Sequence, residues 1–305
     1  FALFFLGFGV KAGIVPLHVW LPEAHPAAPS SISAIMSAVL ITAGIYGLFK
    51  VCAFGLATPR AGWGLACMAL GALSAILGVL YALAQRDLKR LLAYSTTEKA
   101  GIIVLGLGAA MVPLAYGHAA LAAAALTASL VHVLNHALFK GLLFLGAGSI
   151  LKSTGIRNLN EMGGLVRYLP QTALYFLVGA LAISALPPLN GFVSEWLPFQ
   201  AALQAPLLDS SVVRSLVPIV AAVLALSGAL TGMCFVKVYG IAFLGQHRHE
   251  FAEPPREASE SRRAGMLWLA VACVALGLFP VYMVGQLNQV SLALIQAGLS
   301  EEAMA

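Results

Sequence analysis

Residues 119–149 read AALAAAALTASLVHVLNHALFKGLLFLGAGS, an apolar run broken only by a few polar side chains, among them His132, His136 and Lys140. A membrane-spanning helix needs roughly 20 mostly apolar residues, so this run predicts a transmembrane helix with titratable groups inside it. Spacing of i, i+4 and i+8 puts the three on one helical face, rotated by about 40° and rising about 6 Å per step. A charged side chain at the centre of a span costs roughly 2.5–3.5 kcal/mol, and such residues face a bundle interior or water and mark ion or proton paths. Histidine titrates near neutrality and passes protons through its two ring nitrogens, and a desolvated lysine releases its proton more readily than one in water. The stripe therefore reads as a proton relay. Metal or haem ligation competes, because neutral imidazoles at i, i+4 can share a metal. Against it, Asn135 stands beside His136 where a metalloprotease motif would carry glutamate, and no third ligand is evident.

The rest of the chain agrees with a membrane protein. Of 305 residues, 60% are hydrophobic and only 10% charged, and the mean hydropathy is +0.91. A soluble domain would carry about a quarter charged residues. Nucleic-acid binding is excluded as the main activity. Apolar stretches at 1–20, 31–56, 62–84, 98–114, 119–149, 170–205, 214–245 and 264–284 predict about eight spans in an all-α, polytopic transmembrane bundle. Residues 1–284 form the membrane domain, and 285–305 read as an interfacial or disordered tail. Cys52, Cys67, Cys234 and Cys273 are scattered through apolar runs, without the spacing of a disulfide framework, an iron–sulfur cluster or a zinc site. Phe1 opens inside an apolar run with no charged segment before it, which resembles neither a signal peptide nor a native start.

Charge supplies orientation. The 17 basic and 12 acidic residues give +5, and the basic ones divide unevenly once the spans are drawn. Arg86, Lys89, Arg90, Lys99, Lys152, Arg157, Arg167, Arg248, Arg256, Arg262 and Arg263 lie on one side, against Lys50, Arg60 and Arg214 on the other. The richer side is expected in the cytoplasm, with the C-terminus outside. Lys11, Lys140 and Lys237 fall within apolar runs.

Two spans carry breaks. Pro16 follows Lys11 by five residues, and Ser184-Ala185-Leu186-Pro187-Pro188-Leu189-Asn190-Gly191 interrupts the sixth stretch. Paired prolines with a glycine cannot be continuous helix, and broken backbone at membrane depth is tolerated where it is enclosed by protein or lines a wet cavity. Glu195 follows the second break and can switch charge as a lysine partner moves, or else serves as an interfacial residue beside Trp196. Lys237 reads as snorkelling from the end of its span. Trp20–Pro26, with Glu23 and His25, and Gln85–Thr96, with Asp87 and Lys89, read as charged linkers. His247–Arg263 reads as a flexible cytoplasmic loop.

The strings KAGIVPLHVWLPEAHPAAPSSISA, RDLKRLLAYST, VHVLNHALFKGLLF and ISALPPLNGFVSEW resemble the antiporter-like membrane subunits shared by respiratory complex I, Mrp-type cation/proton antiporters and group 4 hydrogenases. The last string looks most like the hydrogenase-4 and formate hydrogenlyase branch. The resemblance implies a fourteen-helix fold of two inverted five-helix repeats, each with a broken helix, of which this chain is the C-terminal part. It implies that Lys11 matches the lysine of the first broken helix, Lys140 the lysine linking the two halves, and Glu195 the terminal charge of the second broken helix. His132 and His136 match the histidines that hydrate the central axis. Flavin, iron–sulfur or nickel–iron centres are implied in partner subunits, and no cofactor or redox chemistry in this chain. Two departures follow from the same resemblance: the glutamate of an earlier helix that normally pairs with the first lysine has no counterpart here, as the chain begins near the family's seventh helix, and Thr42 stands about where many relatives carry a lysine.

The function expected is proton translocation along a Lys/His/Glu axis, as the transport subunit of a redox-driven oxidoreductase complex. The partners expected are the lipid bilayer and other membrane subunits, in a bacterial-type inner membrane. The alternatives are a Na⁺/H⁺ antiporter subunit working on ion gradients, and a structural anchor for a hydrogenase or dehydrogenase arm.

Overall fold

The computed structural model of the chain describes residues 1–53, 55, 59–203, 211–248, 251 and 253–299. Among them there is no β-strand, only an isolated bridge between Asp87 and Asn158. The helices are α1 (Ala2–Ala12), α2 (Leu21–Ala27), α3 (Ser30–Ile35), α4 (Ile41–Gly47), α5 (Ala61–Ala84), α6 (Leu88–Ala115), α7 (Ala119–Thr154), α8 (Pro170–Ile183), α9 (Asn190–Leu203), α10 (Ser211–Phe243), α11 (Glu260–Leu278) and α12 (Pro280–Ile295). Two π-helical segments, Met36–Leu40 and Leu48–Ala53, join and extend α3 and α4 into a single span.

Six stretches of the described chain are helices long and apolar enough to cross a membrane: Ser30–Val51, Ala61–Ala84, Leu88–Ala115, Ala119–Thr154, Pro218–Phe243 and Glu260–Leu278. The protein is an integral membrane protein with an all-α polytopic fold. The other two expected spans are not continuous helices. The first, 1–20, leaves helix after α1, around Pro16, with α2 starting beyond it, and the sixth leaves α8 around Pro187-Pro188 and resumes at α9. The second break is tightly seated. A Cβ on Gly191 would run into the Ala182 carbonyl oxygen, and one on Gly277 of α11 into that of Pro188, so the backbones approach as only glycine permits.

The largest departure from expectation is α6. Gln85–Thr96 is not a linker: Asp87 Oδ1 accepts from the backbone N–H groups of Lys89 (2.9 Å) and Arg90 (3.0 Å), capping a helix that starts at Leu88. Lys99 then lies eleven residues into the helix, about 17 Å along its axis, rather than on the cytoplasmic side. α5 and α6 close on a seam of glycines, Gly64, Gly71 and Gly78 on one helix and Gly101 and Gly108 on the other, which bring backbone against backbone.

α7 runs through the middle of the bundle and packs against α3, α6, α8, α9, α11 and α12. The end of the chain adds α12, with Met283, Val284, Asn288 and Ser291 buried. Cys67, Cys234 and Cys273 are buried. The side chain of Cys52, parts of the 247–263 loop and residues 300–305 lie outside the described residues.

Candidate proton path

The stripe on α7 is fully inside the bundle: His132 is 1% exposed, and His136 and Lys140 are 0% exposed. Each step along it finds a different environment. Lys140 Nζ donates to the Leu92 carbonyl (3.0 Å) and to Ser95 Oγ (2.5 Å) on α6, both neutral partners. One turn away, His136 makes no hydrogen bond from either ring nitrogen to the described residues; its ring meets Phe139 edge-on at 5.7 Å. It lies within electrostatic reach of both Lys140 and Lys99.

His132 carries an informative contact. Its Nδ1 is 3.0 Å from Ser194 Oγ on α9, and that hydroxyl donates its single proton to the Gly191 carbonyl at 3.0 Å. The hydroxyl is thus left as acceptor, which places a proton on His132 Nδ1; when the ring is neutral, its lone pair is on Nε2. Nε2 accepts no hydrogen bond from the described residues, so it is the basic atom of the pair.

The stripe ends on an ion cluster. Lys99 Nζ is 2.5 Å from Glu195 Oε1 and 3.0 Å from Glu98 Oε1, with Lys99 and Glu98 fully buried and the Glu195 side chain 9% exposed. Glu98 Oε1 also accepts from Thr231 Oγ1 at 2.6 Å and Ser227 Oγ at 3.4 Å on α10. Enclosing two carboxylates is tolerable only because an ammonium and hydroxyl donors answer them. α9 is registered to α7 by paired amides. Asn135 Nδ2 donates to the Asn190 carbonyl at 2.7 Å, and Asn190 Nδ2 donates to Asn135 Oδ1 at 3.0 Å. Because Asn190, Ser194 and Glu195 are all on the first turns of α9, the break at Pro187-Pro188 aims this helix start at the stripe.

The other sequence-derived candidates divide. Lys11 is exposed in the last turn of α1, away from the buried row. Lys237 Nζ donates to the Leu83 (2.7 Å) and Gln85 (3.3 Å) carbonyls, capping the end of α5. Glu23 pairs with Arg90, and Asp87 pairs with Arg157 at 3.2 Å besides capping α6. Lys89 Nζ donates to the Ala28 carbonyl at 2.5 Å. Thr42 Oγ1 donates back to its own helix, to the Val39 carbonyl at 2.7 Å. His25, in α2 between the spans, is fully buried, stacked on Phe144 at 4.7 Å, and has no hydrogen-bond partner for either ring nitrogen among the described residues. Burial, with Lys140 and Lys89 nearby, pushes its pKa down to about 3, so it is neutral at physiological pH.

Glu98 and Lys99 were missed by the sequence reading, which placed them at a span edge. Treating Asp87 as an N-cap would have started the helix ten residues earlier and carried both to mid-membrane depth.

Comparison with known proteins follows this geometry. The sequence pattern of the NADH:quinone oxidoreductase/Mrp antiporter transmembrane family matches residues 1–224. The chain is 49% identical to hydrogenase-4 component B of Escherichia coli (strain K12) over 280 residues, covering 91% of this chain and 42% of that protein. It is 41% identical to formate hydrogenlyase subunit 3 of the same organism over 283 residues, 93% of this chain and 46% of the other. It thus spans about half the length of these curated relatives. In fold it is similar to a chain of the Mrp complex from Dietzia sp. DQ12-45-1b, with a TM-score of 0.83 at 23% identity, covering 96% of this chain and 59% of that one. With the buried Lys/His/Glu row in a broken-helix bundle and this match over most of its length, the chain belongs to the NADH:quinone oxidoreductase/Mrp antiporter transmembrane family.

Proposed function

We propose that the chain is a proton-translocating part of a membrane subunit in a redox-driven complex, moving protons along the row Lys140, His136, His132, Lys99 and Glu195. The observation that carries this is the row itself: five titratable groups buried in an apolar bundle, on α7, α6 and α9, with two imidazoles between Lys140 and the Lys99–Glu195 pair at its end. A structural anchor needs no such groups, and each is costly to bury. The chain's own residues hold and hand on protons, His132 through Nε2 and Nδ1, His136 through water bound between its neighbours, and Glu195 as the terminal acceptor.

The names of the relatives, hydrogenase-4 component B and formate hydrogenlyase subunit 3, favour a hydrogenase-type assembly. In it, flavin, iron–sulfur or nickel–iron centres would lie in partner subunits. The membrane is a bacterial-type inner membrane. With Lys99 set aside, ten basic residues in loops and end turns on one side still stand against three, which supports a cytoplasmic position for the richer side. Lys11, exposed on α1, keeps a role only if another helix supplies its partner.

The test is Lys140→Ala in the assembled complex, reconstituted into vesicles with electron transfer and proton uptake measured together. Loss of proton uptake with electron transfer partly retained is expected. Normal uptake sinks the proposal. A sodium requirement in vesicles given no electron donor would shift the function to antiport.

A further inference from the structure

Lys99 has two anions within reach on two different helices. Glu195 is on α9, the helix registered to α7, and Glu98 is its own neighbour on α6. The two carboxylates are held differently. Glu98 Oε1 is anchored to α10 through Thr231 and Ser227, while its Oε2 accepts no hydrogen bond from the described residues and can complete a second contact. Glu195 Oε2 lies over Gly228, between those two residues on α10; a Cβ there would come to 3.2 Å from it, and glycine leaves the carboxylate room to turn.

Building on the proposed function, we propose that Lys99 is a partner-switching ammonium that alternates between Glu195 and Glu98, and that Glu195 takes up a proton each time Lys99 leaves it. In the closed state both carboxylates are ionised and Lys99 contacts both, more closely Glu195. In the open state Lys99 turns fully to Glu98 and its contact to Glu195 breaks. A proton then forms an O–H bond on Glu195 while the imidazolium of His132, joined to α9 through Ser194, loses the matching N–H bond. When Lys99 returns, that O–H bond breaks, the electron pair stays on Glu195, and a water oxygen on the opposite side forms the new O–H bond and carries the proton away. One proton enters and one leaves. Lys99 keeps its three N–H bonds throughout, and Glu98 stays ionised.

Glu98 is the enabling part. Lys140 is held by a carbonyl and a hydroxyl, whereas the contacts of Lys99 Nζ among the described residues are the two carboxylates, so Glu98 is the partner to which Lys99 can turn when it leaves Glu195. The two contacts differ by only 0.5 Å, 2.5 against 3.0 Å, so the exchange needs side-chain rotation and no movement of a helix. Thr231 and Ser227 keep Glu98 in place as the seat.

The experiment uses the full-length chain in its assembled complex, in vesicles supplied with formate, hydrogen or NADH. Proton uptake is recorded by a pH-sensitive dye, and carboxylic-acid C=O absorption by infrared difference spectroscopy. Glu98→Gln preserves volume and the Thr231 contact but removes the anion. Proton uptake should fall by about a hundredfold, and the carboxylic-acid band that Glu195→Gln identifies in the wild type should vanish. Uptake above a tenth of wild type, or a persistent band, overturns the switch and leaves proton transport by the Lys140 row standing. Wild-type vesicles that take up no protons overturn the transport function itself. Where Glu98→Gln does not assemble, Thr231→Val decides with every charge intact: slower uptake and a weakened band support the switch, and wild-type behaviour overturns it.

Discussion

The glycine seam between α5 and α6 makes a quantitative prediction. An added Cβ at Gly78 would lie 2.5 Å from the backbone nitrogen of Glu98, 2.8 Å from its Cα and 3.0 Å from its Cβ. None of these atoms is the end of a flexible side chain, so relief to an ordinary contact requires α6 to retreat by close to an ångström. Overpacking of this kind costs about 1–3 kcal/mol. Alanine also favours helix over glycine by about 1 kcal/mol, which would mask part of the cost. Gly232→Ala on α10 is the internal control, because its Cβ would meet nothing within 4 Å and it gains the same propensity. The difference between the two variants isolates the clash. Gly78→Ala should unfold in mixed micelles at a lower SDS fraction than Gly232→Ala, by about 1–3 kcal/mol when both are referred to wild type. Since α6 carries Glu98 and Lys99 away with it, Gly78→Ala should also slow proton uptake. Equal midpoints, or a more stable Gly78→Ala, would refute the close approach of the two helices.

Three further outcomes are expected. Asn135→Ala strands the Asn190 amide and carbonyl, so the stability measured in micelles should drop by about 1–3 kcal/mol, and Asn135→Asp, which sets a carboxylate oxygen against the Asn190 carbonyl, should also destabilise; a silent Asn135→Ala would disprove the register between α7 and α9. Lys99→Met leaves Glu98 and Glu195 enclosed without a cation and should destabilise by about 3–5 kcal/mol, with much of this recovered when both glutamates are also changed to Gln; a Lys99→Met protein as stable as wild type contradicts the buried cluster. His25 has its pKa lowered from 6.5 to about 3, so its neutral form's contribution is complete above pH 6.5 and is lost as pH falls towards 3. His25→Phe, which keeps the stack on Phe144, should therefore cut the stability lost between pH 6.5 and 5 by about 2 kcal/mol; an unchanged pH profile would place His25 in contact with water.

The sequence exposed the parts of the site that obey a single periodicity. His132, His136 and Lys140 share one face at every fourth residue, and no non-helical arrangement of such an apolar run could survive in lipid. The break before Glu195 was equally legible, because Pro187-Pro188 excludes helix whatever surrounds it. What escaped was long-range. Asp87 through Thr96 mixes charges as a linker does; the cap that Asp87 makes is local, but the partners of the Lys89 and Arg90 side chains, in and around α2, are not. Lys99 reads as a basic residue at a span edge and Glu98 carries no signal of its own, since nothing local announces Glu195, ninety-six positions from Lys99, or the Thr231 hydroxyl on α10. Lys11 shows the converse: a lysine whose position in an apolar run suggested enclosure is exposed on α1.

With Glu98 and Glu195 ionised, Lys99 and Lys140 protonated and both imidazoles neutral, the charges of the buried row sum to zero. A single visiting proton lifts the row to one net positive charge. A second, one helical turn from the first at about 6 Å, would meet a repulsion of about 3 kcal/mol at an effective dielectric of about 20, a penalty of about a hundredfold. Such a row behaves as a turnstile and not as a reservoir: it admits one passenger, and a larger driving force can raise only how often it turns.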